Sequence, residues 1–286
     1  MKVLILGTGK TGTTVMVYKV SGGLPNCLAF SGGRPGKHLG KYENAVYKHT
    51  YEERKGKSFE VFKEHLNKEH YDRKIWMARD PRDAAVSRML YRWHRGHEGR
   101  KKQFESHLEL ILKKEKDPPS VPFYEICRFT GYQGSPRTVE AVIDEERKRY
   151  QQMTEFVKGL ENNWFLFRFE DMVAQKFDAL NEYLGFEVQA DAAVPSASGK
   201  AKVIRKKSTG DWRHWFTADD VELFKPVYLP YMELIGYDCN DWQLDANPLI
   251  EPEFSSIYMQ NLPRKAAKNK ILRYVDVVIQ KLTNKG

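Results

Sequence analysis

Residues 3–14 constrain this chain more than any other stretch. Val3-Leu4-Ile5-Leu6 is a short apolar run with the character of a buried strand, and Gly7-Thr8-Gly9-Lys10-Thr11-Gly12-Thr13-Thr14 follows it directly. A strand that runs into a glycine-rich turn and then hydroxyl residues builds a phosphate cradle. The glycines let backbone N–H groups turn inward, and the helix that follows offers its positive end. The general P-loop pattern G-x-x-x-x-G-K-[ST] is met at Gly7 and Gly12, but its lysine position holds Thr13 and the loop's own lysine is Lys10. Taking Gly9-Lys10-Thr11 as the G-K-T end requires a glycine at Leu4. The stretch is a phosphate loop with its lysine displaced, and an ordinary ATPase is not the first expectation. A β-hairpin competes, because Thr14-Val15-Met16-Val17-Tyr18-Lys19-Val20 is rich in β-branched residues. Periodicity in so short a run does not separate strand from helix, and on this stretch alone both readings stand.

A chain of 286 residues can bury a full core, and 13% aromatic with 41% apolar residues suits a globular protein. Its net charge of +9 points to anionic partners. Cys27, Cys127 and Cys239 are far apart, without metal-ligand spacing, which fits a reducing compartment. The eight histidines show no H-E-x-x-H or similar pairing, so no zinc site is expected. The four-residue apolar run near the N-terminus is too short for a signal sequence, and no stretch approaches the ~20 apolar residues of a membrane span. A cytoplasmic location is the expectation.

Along the chain, residues 26–30, 45–49, 74–78 and 164–167 read as further strands. Phe59, Phe62 and Leu66 recur at helical spacing, and 137–160 reads as a long polar helix. Strands alternating with helices indicate a mainly parallel sheet. Residues 219–236 read as helical up to 223–225, with Pro226 and Pro230 interrupting. Arg100-Lys101-Lys102 and Lys113-Lys114 read as solvated helix faces. The aromatic-rich 118–135 segment either lines a pocket or packs on the core, and packing is favoured.

Two more constellations carry chemistry. Asp80 suits the cap of a helix after the 74–78 strand and Pro81 its first turn, so Arg79 leaves the strand at its C-terminal edge, where open α/β sheets bind ligands. Ser87 returns to the same helix face. A guanidinium fork plus a hydroxyl is suitable equipment for a terminal phosphate, although a well-capped helix with surface salt bridges has the same sequence. The second is Arg205-Lys206-Lys207-Ser208-Thr209-Gly210-Asp211-Trp212, preceded by a Ser196–Gly199 linker. It reads as a flap closing on an anion or as a solvated charge run; the aromatic residues that follow favour the flap.

Together these stretches resemble the PAPS-dependent sulfotransferases. Lys10-Thr11-Gly12-Thr13-Thr14 is similar to the K-S-G-T-T loop that holds the 5′-phosphosulfate. Arg79-Asp80-Pro81-Arg82-Asp83 with Ser87 resembles the 3′-phosphate motif, and Arg205-Lys206 with Gly210-Asp211-Trp212 the late R-K-G-x-x-G-D-W motif. Phe169-Glu170-Asp171 resembles the Y-E-D element, with Phe for Tyr. The four matches occur in order over roughly residues 1–240, which makes the hairpin a minor alternative. Gly7-Thr8-Gly9 replaces the usual T-Y-P lead-in, Val15 stands where many members have an aromatic, and Lys207 occupies a glycine position. Subfamily and acceptor stay open.

The resemblance implies a P-loop-kinase-like three-layer α/β/α fold with a central, mainly parallel sheet over residues 1–250, and a C-terminal extension over 251–286. It implies transfer of a sulfuryl group from 3′-phosphoadenosine 5′-phosphosulfate (PAPS) to a hydroxyl or amine, leaving 3′,5′-diphosphoadenosine, without a metal. The acceptor would be a small molecule, a carbohydrate or a lipid, and no nucleic acid is expected as partner. Gly9, Lys10, Thr11, Gly12, Thr13, Thr14, Arg79, Ser87, Phe169, Arg205, Lys206 and Lys207 are the implied PAPS-binding residues, Lys10 also serving the leaving phosphate. His49 is the preferred general base, although the family's K-x-H is here Lys48-His49, one residue out of register; the strand ending at Lys48 would relax that constraint. Glu52 or Glu53 are carboxylate alternatives, and His65 and His70 are rivals set away from the sheet's C-terminal edge. Two other classes are carried: an ATP-dependent P-loop kinase, and a non-catalytic binder of anionic polymers. At the tail, Ile271, Val275, Val278 and Leu282 form a stripe among Lys265, Lys268, Lys270, Arg273 and Lys281. Such a helix docks on its own domain or a second subunit, or lies on an anionic membrane, and docking is favoured.

Overall fold

The computed structural model describes residues 1–30, 43–51, 70–94, 96, 97, 99–130, 136–195, 206 and 208–262. The expected helix at 59–66, Glu52, Glu53, His65, Arg205, Lys207 and the tail from 264 lie outside these residues. By compactness the chain divides into two units. The first comprises 1–84, 144–194 and 224–242, and the second 85–143, 195–223 and 243–286.

The first unit is built on strands β1 (Lys2–Thr8), β2 (Cys27–Phe30), β3 (Asn44–Tyr51), β4 (Arg73–Ala78) and β5 (Trp164–Arg168). They form one sheet in the order β2-β3-β1-β4-β5, and every pairing is parallel. The near-continuous apolar run of β1 fits this position: Val3 to Leu6 are fully buried because both faces are covered. On one face Val3, Ile5, Val46, Ile75, Met77 and Phe167 pack with Met16, Val17 and Val20 of helix α1 (Thr13–Gly22). The other face carries a cluster of rings. Tyr51 and Trp76 lie 5.3 and 4.9 Å from Phe156, and the Trp76 indole donates to the Tyr231 hydroxyl at 3.3 Å. The result is a three-layer α/β/α arrangement, as expected.

Residues 14–20 are helical in α1, so the hairpin is excluded. Their β-branched residues give up some helix propensity, but Met16, Val17 and Val20 bury completely against the sheet, and packing outweighs a preference of a few tenths of a kcal/mol per residue. The expected break at Pro226 and Pro230 is also absent. Both prolines lie inside one helix over Ala218–Ile235. Each removes a backbone hydrogen bond, while the fully buried Phe224, Tyr228, Tyr231 and Met232 tie its 224–235 portion to the first unit's core.

In the second unit, helix α2 (Pro81–Tyr91), begun in the first, continues, and α3 (Lys101–Lys116) buries Gln103, Phe104, His107, Ile111 and Lys114 along one face. Lys114 is therefore not on a solvated face. It has no exposed surface, its ammonium donates to the carbonyls of Pro118 at 2.7 Å and Val121 at 2.5 Å, and burial pushes its pKa down to about 8. Phe123 and Ile126 are fully buried, Phe123 stacking on Phe216 at 5.0 Å, so this part of the aromatic 118–135 segment packs into core. Asp220 fixes the same region by accepting from the backbone N–H groups of Phe123, Tyr124 and Thr217 at 2.7–2.8 Å.

Candidate functional site

β1 sits between β3 and β4 although β3 follows it in sequence by way of β2, so the strand order reverses direction at β1. In open parallel sheets the crevice at such a reversal, beyond the strands' C-terminal ends, is where ligands bind. The loop Thr8–Gly12 occupies that place. Its turn is tight: Thr11 Oγ1 donates to the Thr8 carbonyl at 2.8 Å. Gly7 has to lack a side chain, since a Cβ there would lie 2.7 Å from Thr11 Oγ1 and 2.8 Å from the Met77 carbonyl oxygen. Two residues turn through the left-handed region, Gly12 at φ 82° and Lys10 at φ 77°. For a residue with a side chain that conformation costs about 1–2 kcal/mol, so other contacts must hold it.

Helix α1 begins at Thr13 with Gly12 as its cap and no acidic residue in its first turn. Its first internal bond runs from the Met16 N–H to the Gly12 carbonyl at 3.1 Å, leaving the N–H groups of Thr13, Thr14 and Val15 at the positive end without intrahelical acceptors. Two lysines belong to this end. Lys10 lies in the loop itself. Lys48 reaches over from β3, where it stands beside Ile5, and its ammonium donates to Thr14 Oγ1 at 2.9 Å. Sequence reasoning passed over Lys48 as a cradle residue. The available signal was a lysine in a strand whose neighbours Val46 and Tyr47 are apolar.

Arg79 enters from β4. Its Nη1 donates to the Lys10 carbonyl at 3.0 Å, and its guanidinium lies over the Phe169 ring at 4.3 Å. Phe169 is buried, and a Cβ on Gly12 would approach it to 2.8 Å. Thus the first unit brings Gly9 to Thr14, Lys48, Arg79 and Phe169 together. Gly9 is open, with nothing within 4 Å of a Cβ placed there. Below Arg79, the Asp80 carboxylate chelates Arg82 at 2.9 and 2.6 Å. Glu170 accepts from the Asp80 N–H at 3.0 Å and from the Tyr237 hydroxyl at 2.7 Å. Burial holds the Glu170 carboxyl above the usual range, and burial together with that carboxylate pushes the Tyr237 phenol well up.

His49 follows Lys48 on β3, opposite Leu6. The strand continues to Tyr51, so an end at Lys48 that would relax the register constraint on His49 is not found. Side chains alternate along a strand, which puts His49 on the face of Tyr47 and Tyr51 rather than that of Lys48. His70 is exposed, precedes β4 and pairs with Asp72 at 3.5 Å, at the N-terminal edge of the sheet. In the second unit, Ser87 is buried on α2, 4% exposed, and Lys206 pairs with Glu251 while lying 5.5 Å from the Phe254 ring centre. His107, in the same unit, is fully buried and receives the Trp93 indole N–H on Nδ1 at 2.7 Å. Its neutral ring therefore carries the proton on Nε2, and burial lowers its pKa to about 3, which makes it a donor and not a base. Among the described residues no group of His, Cys, Asp and Glu is placed to hold a metal ion, and no helix is long and apolar enough to cross a membrane.

No protein-family model matches the chain, and no curated protein matches it. Among solved structures it is similar to mouse sulfotransferase SULT7A1 complexed with PAP, at 16% identity and a TM-score of 0.45, over 81% of this chain and 84% of that one. At that identity and score the likeness carries no assignment.

Proposed function

We propose that this protein transfers a sulfuryl group from PAPS to an acceptor hydroxyl or amine. The observation that carries the reading is the loop's set of cations. Lys10 lies within the turn, Lys48 comes from the neighbouring strand onto Thr14, and Arg79 bridges from β4 to the Lys10 carbonyl. An ATP-dependent P-loop kinase takes its lysine from the helix start, where this chain has Thr13. The residues present suit a 5′-phosphosulfate: an open glycine at position 9, helix N–H groups, two hydroxyls and two ammonium groups. When bound, PAPS supplies an activated sulfuryl group. Lys10 and Lys48 balance negative charge on the phosphate side of the bond that breaks, and Thr13 and Thr14 with the helix N–H groups orient its oxygens. Arg79, with Ser87 and Arg205, takes the 3′-phosphate, and Lys206 and Lys207 belong to the same flap. His49 receives the acceptor proton, with Glu52 and Glu53 as the carboxylate alternatives. The chemistry asks for no metal. The acceptor class (small molecule, carbohydrate or lipid), a cytoplasmic location, and a C-terminal helix that docks on its own domain or a second subunit in preference to a membrane complete the proposal.

Thermal melts with 3′,5′-diphosphoadenosine and with ADP, in chelator, test the reading. Diphosphoadenosine is expected to raise the melting temperature and ADP to do so far less. Equal shifts, or a shift that needs magnesium, would favour the kinase instead. Binding that falls steeply with salt and ignores Lys10 would favour a polymer binder.

A further inference from the structure

Strands β4 and β5 end in register, Ala78 beside Arg168, so the residues after them leave the sheet side by side. Phe169 lies against the Arg79 guanidinium at 4.3 Å, and Glu170 accepts the N–H of Asp80, the residue after Arg79, at 3.0 Å. The second Glu170 oxygen takes the Tyr237 hydroxyl at 2.7 Å. At its far end the guanidinium donates to the carbonyl of Lys10, where the backbone stands at φ 77°. On its other side the Phe169 ring is close to Gly12, the second left-handed residue of the loop. Both left-handed positions of the loop, the strained Lys10 and the permissive Gly12, are therefore backed by one pair of side chains, Arg79 and Phe169, and the peptide after Arg79 is held by Glu170 and Tyr237.

We infer that Glu170 and Tyr237 are positioning residues for the phosphate loop and that they act through Arg79, which holds Lys10 in its left-handed turn. This rests on the reading of that loop as the 5′-phosphate site given above. A guanidinium has five N–H donors, and the Lys10 carbonyl takes one of them. Arg79 thus serves the loop as well as any 3′-phosphate. Glu170 is half-buried, and its charge is supported by the two donors it receives. Removing the phenolic proton leaves a half-buried oxygen without its donor and slackens the hold on the Asp80 N–H.

Calorimetric titration of the full chain with 3′,5′-diphosphoadenosine and with 5′-AMP, which lacks the 3′-phosphate, tests this. Tyr237→Phe is expected to weaken both ligands by a similar factor of about 3–10, the worth of one hydrogen bond. Arg79→Ala is expected to weaken AMP by about tenfold or more as well as diphosphoadenosine. Glu170→Gln keeps an oxygen for the Asp80 N–H and an N–H for the Tyr237 oxygen, and should stay within about twofold of the parent. The inference is overturned if Tyr237→Phe only lowers the melting temperature and leaves both affinities unchanged. It is also overturned if Arg79→Ala affects diphosphoadenosine but not AMP. A parent protein that binds neither ligand overturns the loop assignment itself, and this inference with it.

Discussion

Replacing Lys10 by glycine and, separately, by alanine splits its two roles. Both changes remove the ammonium, but only glycine removes the side chain that makes φ 77° costly. Alanine keeps a Cβ and the strain of about 1–2 kcal/mol that goes with it. The extra chain entropy of glycine, about 0.5–1 kcal/mol, offsets part of the gain. The glycine variant should therefore be the more stable by about 1 kcal/mol, a melting temperature roughly 2–4 °C above that of the alanine variant for a chain of this size. Turnover responds to the lost charge alone. An ammonium about 4 Å from the developing phosphate charge, at an effective dielectric of about 20, contributes about 4 kcal/mol, or ~10³ in rate. Both variants should lose that factor equally, as measured by release of 3′,5′-diphosphoadenosine from PAPS with a phenolic or sugar acceptor that the parent accepts. Equal melting temperatures would show that the left-handed turn is not strained as argued. An alanine variant that keeps parental turnover would remove Lys10 from the chemistry.

Lys48→Met should weaken diphosphoadenosine by roughly 10–100-fold, since it deletes a cation and its bond to Thr14; calorimetry that finds parental affinity removes Lys48 from the cradle. His49→Ala should cut turnover about 10²–10⁴-fold with little change in diphosphoadenosine affinity, and survival of turnover there with collapse in Glu52→Ala or Glu53→Ala transfers the base to a carboxylate. Lys114 makes a pH prediction. Its pKa is lowered to about 8 in the fold, so between pH 8 and its ordinary value the unfolded chain binds the extra proton and stability rises with pH. Urea unfolding at pH 7 and pH 10 should show the parent gaining on Lys114→Met, and parallel pH curves would refute the buried charge.

Much of the first unit was legible because its signals are local. Strands that keep only apolar side chains, as Val3–Leu6 do, and turns that demand glycine, as Gly7 and Gly12 do, leave few alternatives in sequence. What failed, or stayed open on composition alone, depended on partners distant in the chain. Thr14–Val20 has strand-like composition, and only the sheet beneath it makes it helical. Pro226 and Pro230 ordinarily end a helix, and the helix continues past them because of what Phe224 and Tyr231 bury. Lys114 sits in a charge run that looks solvated, yet its ammonium has the carbonyls of Pro118 and Val121 for solvent.

The candidate site shows the same division at finer scale. Loop glycines and hydroxyls are consecutive in sequence, so their grouping was visible; Lys48, Glu170 and Tyr237 are tens to hundreds of residues away, Lys48 reaching Thr14 from β3 and Glu170 and Tyr237 reaching the peptide after Arg79. Register also bears on the base. With Lys48 directed to Thr14, alternation turns His49 to the face of Tyr47 and Tyr51, while a K-x-H spacing would set lysine and histidine on one face. An acceptor approached by His49 would therefore stand on the aromatic side of the sheet, across β3 from the cradle lysine. For the proposed in-line displacement that is a demanding geometry: the acceptor oxygen would have to reach the sulfur opposite the phosphate that Lys10 and Lys48 are proposed to hold. His49 can meet it only from the C-terminal rim of β3, two residues before the strand ends at Tyr51, where a side chain of either face lies near the edge.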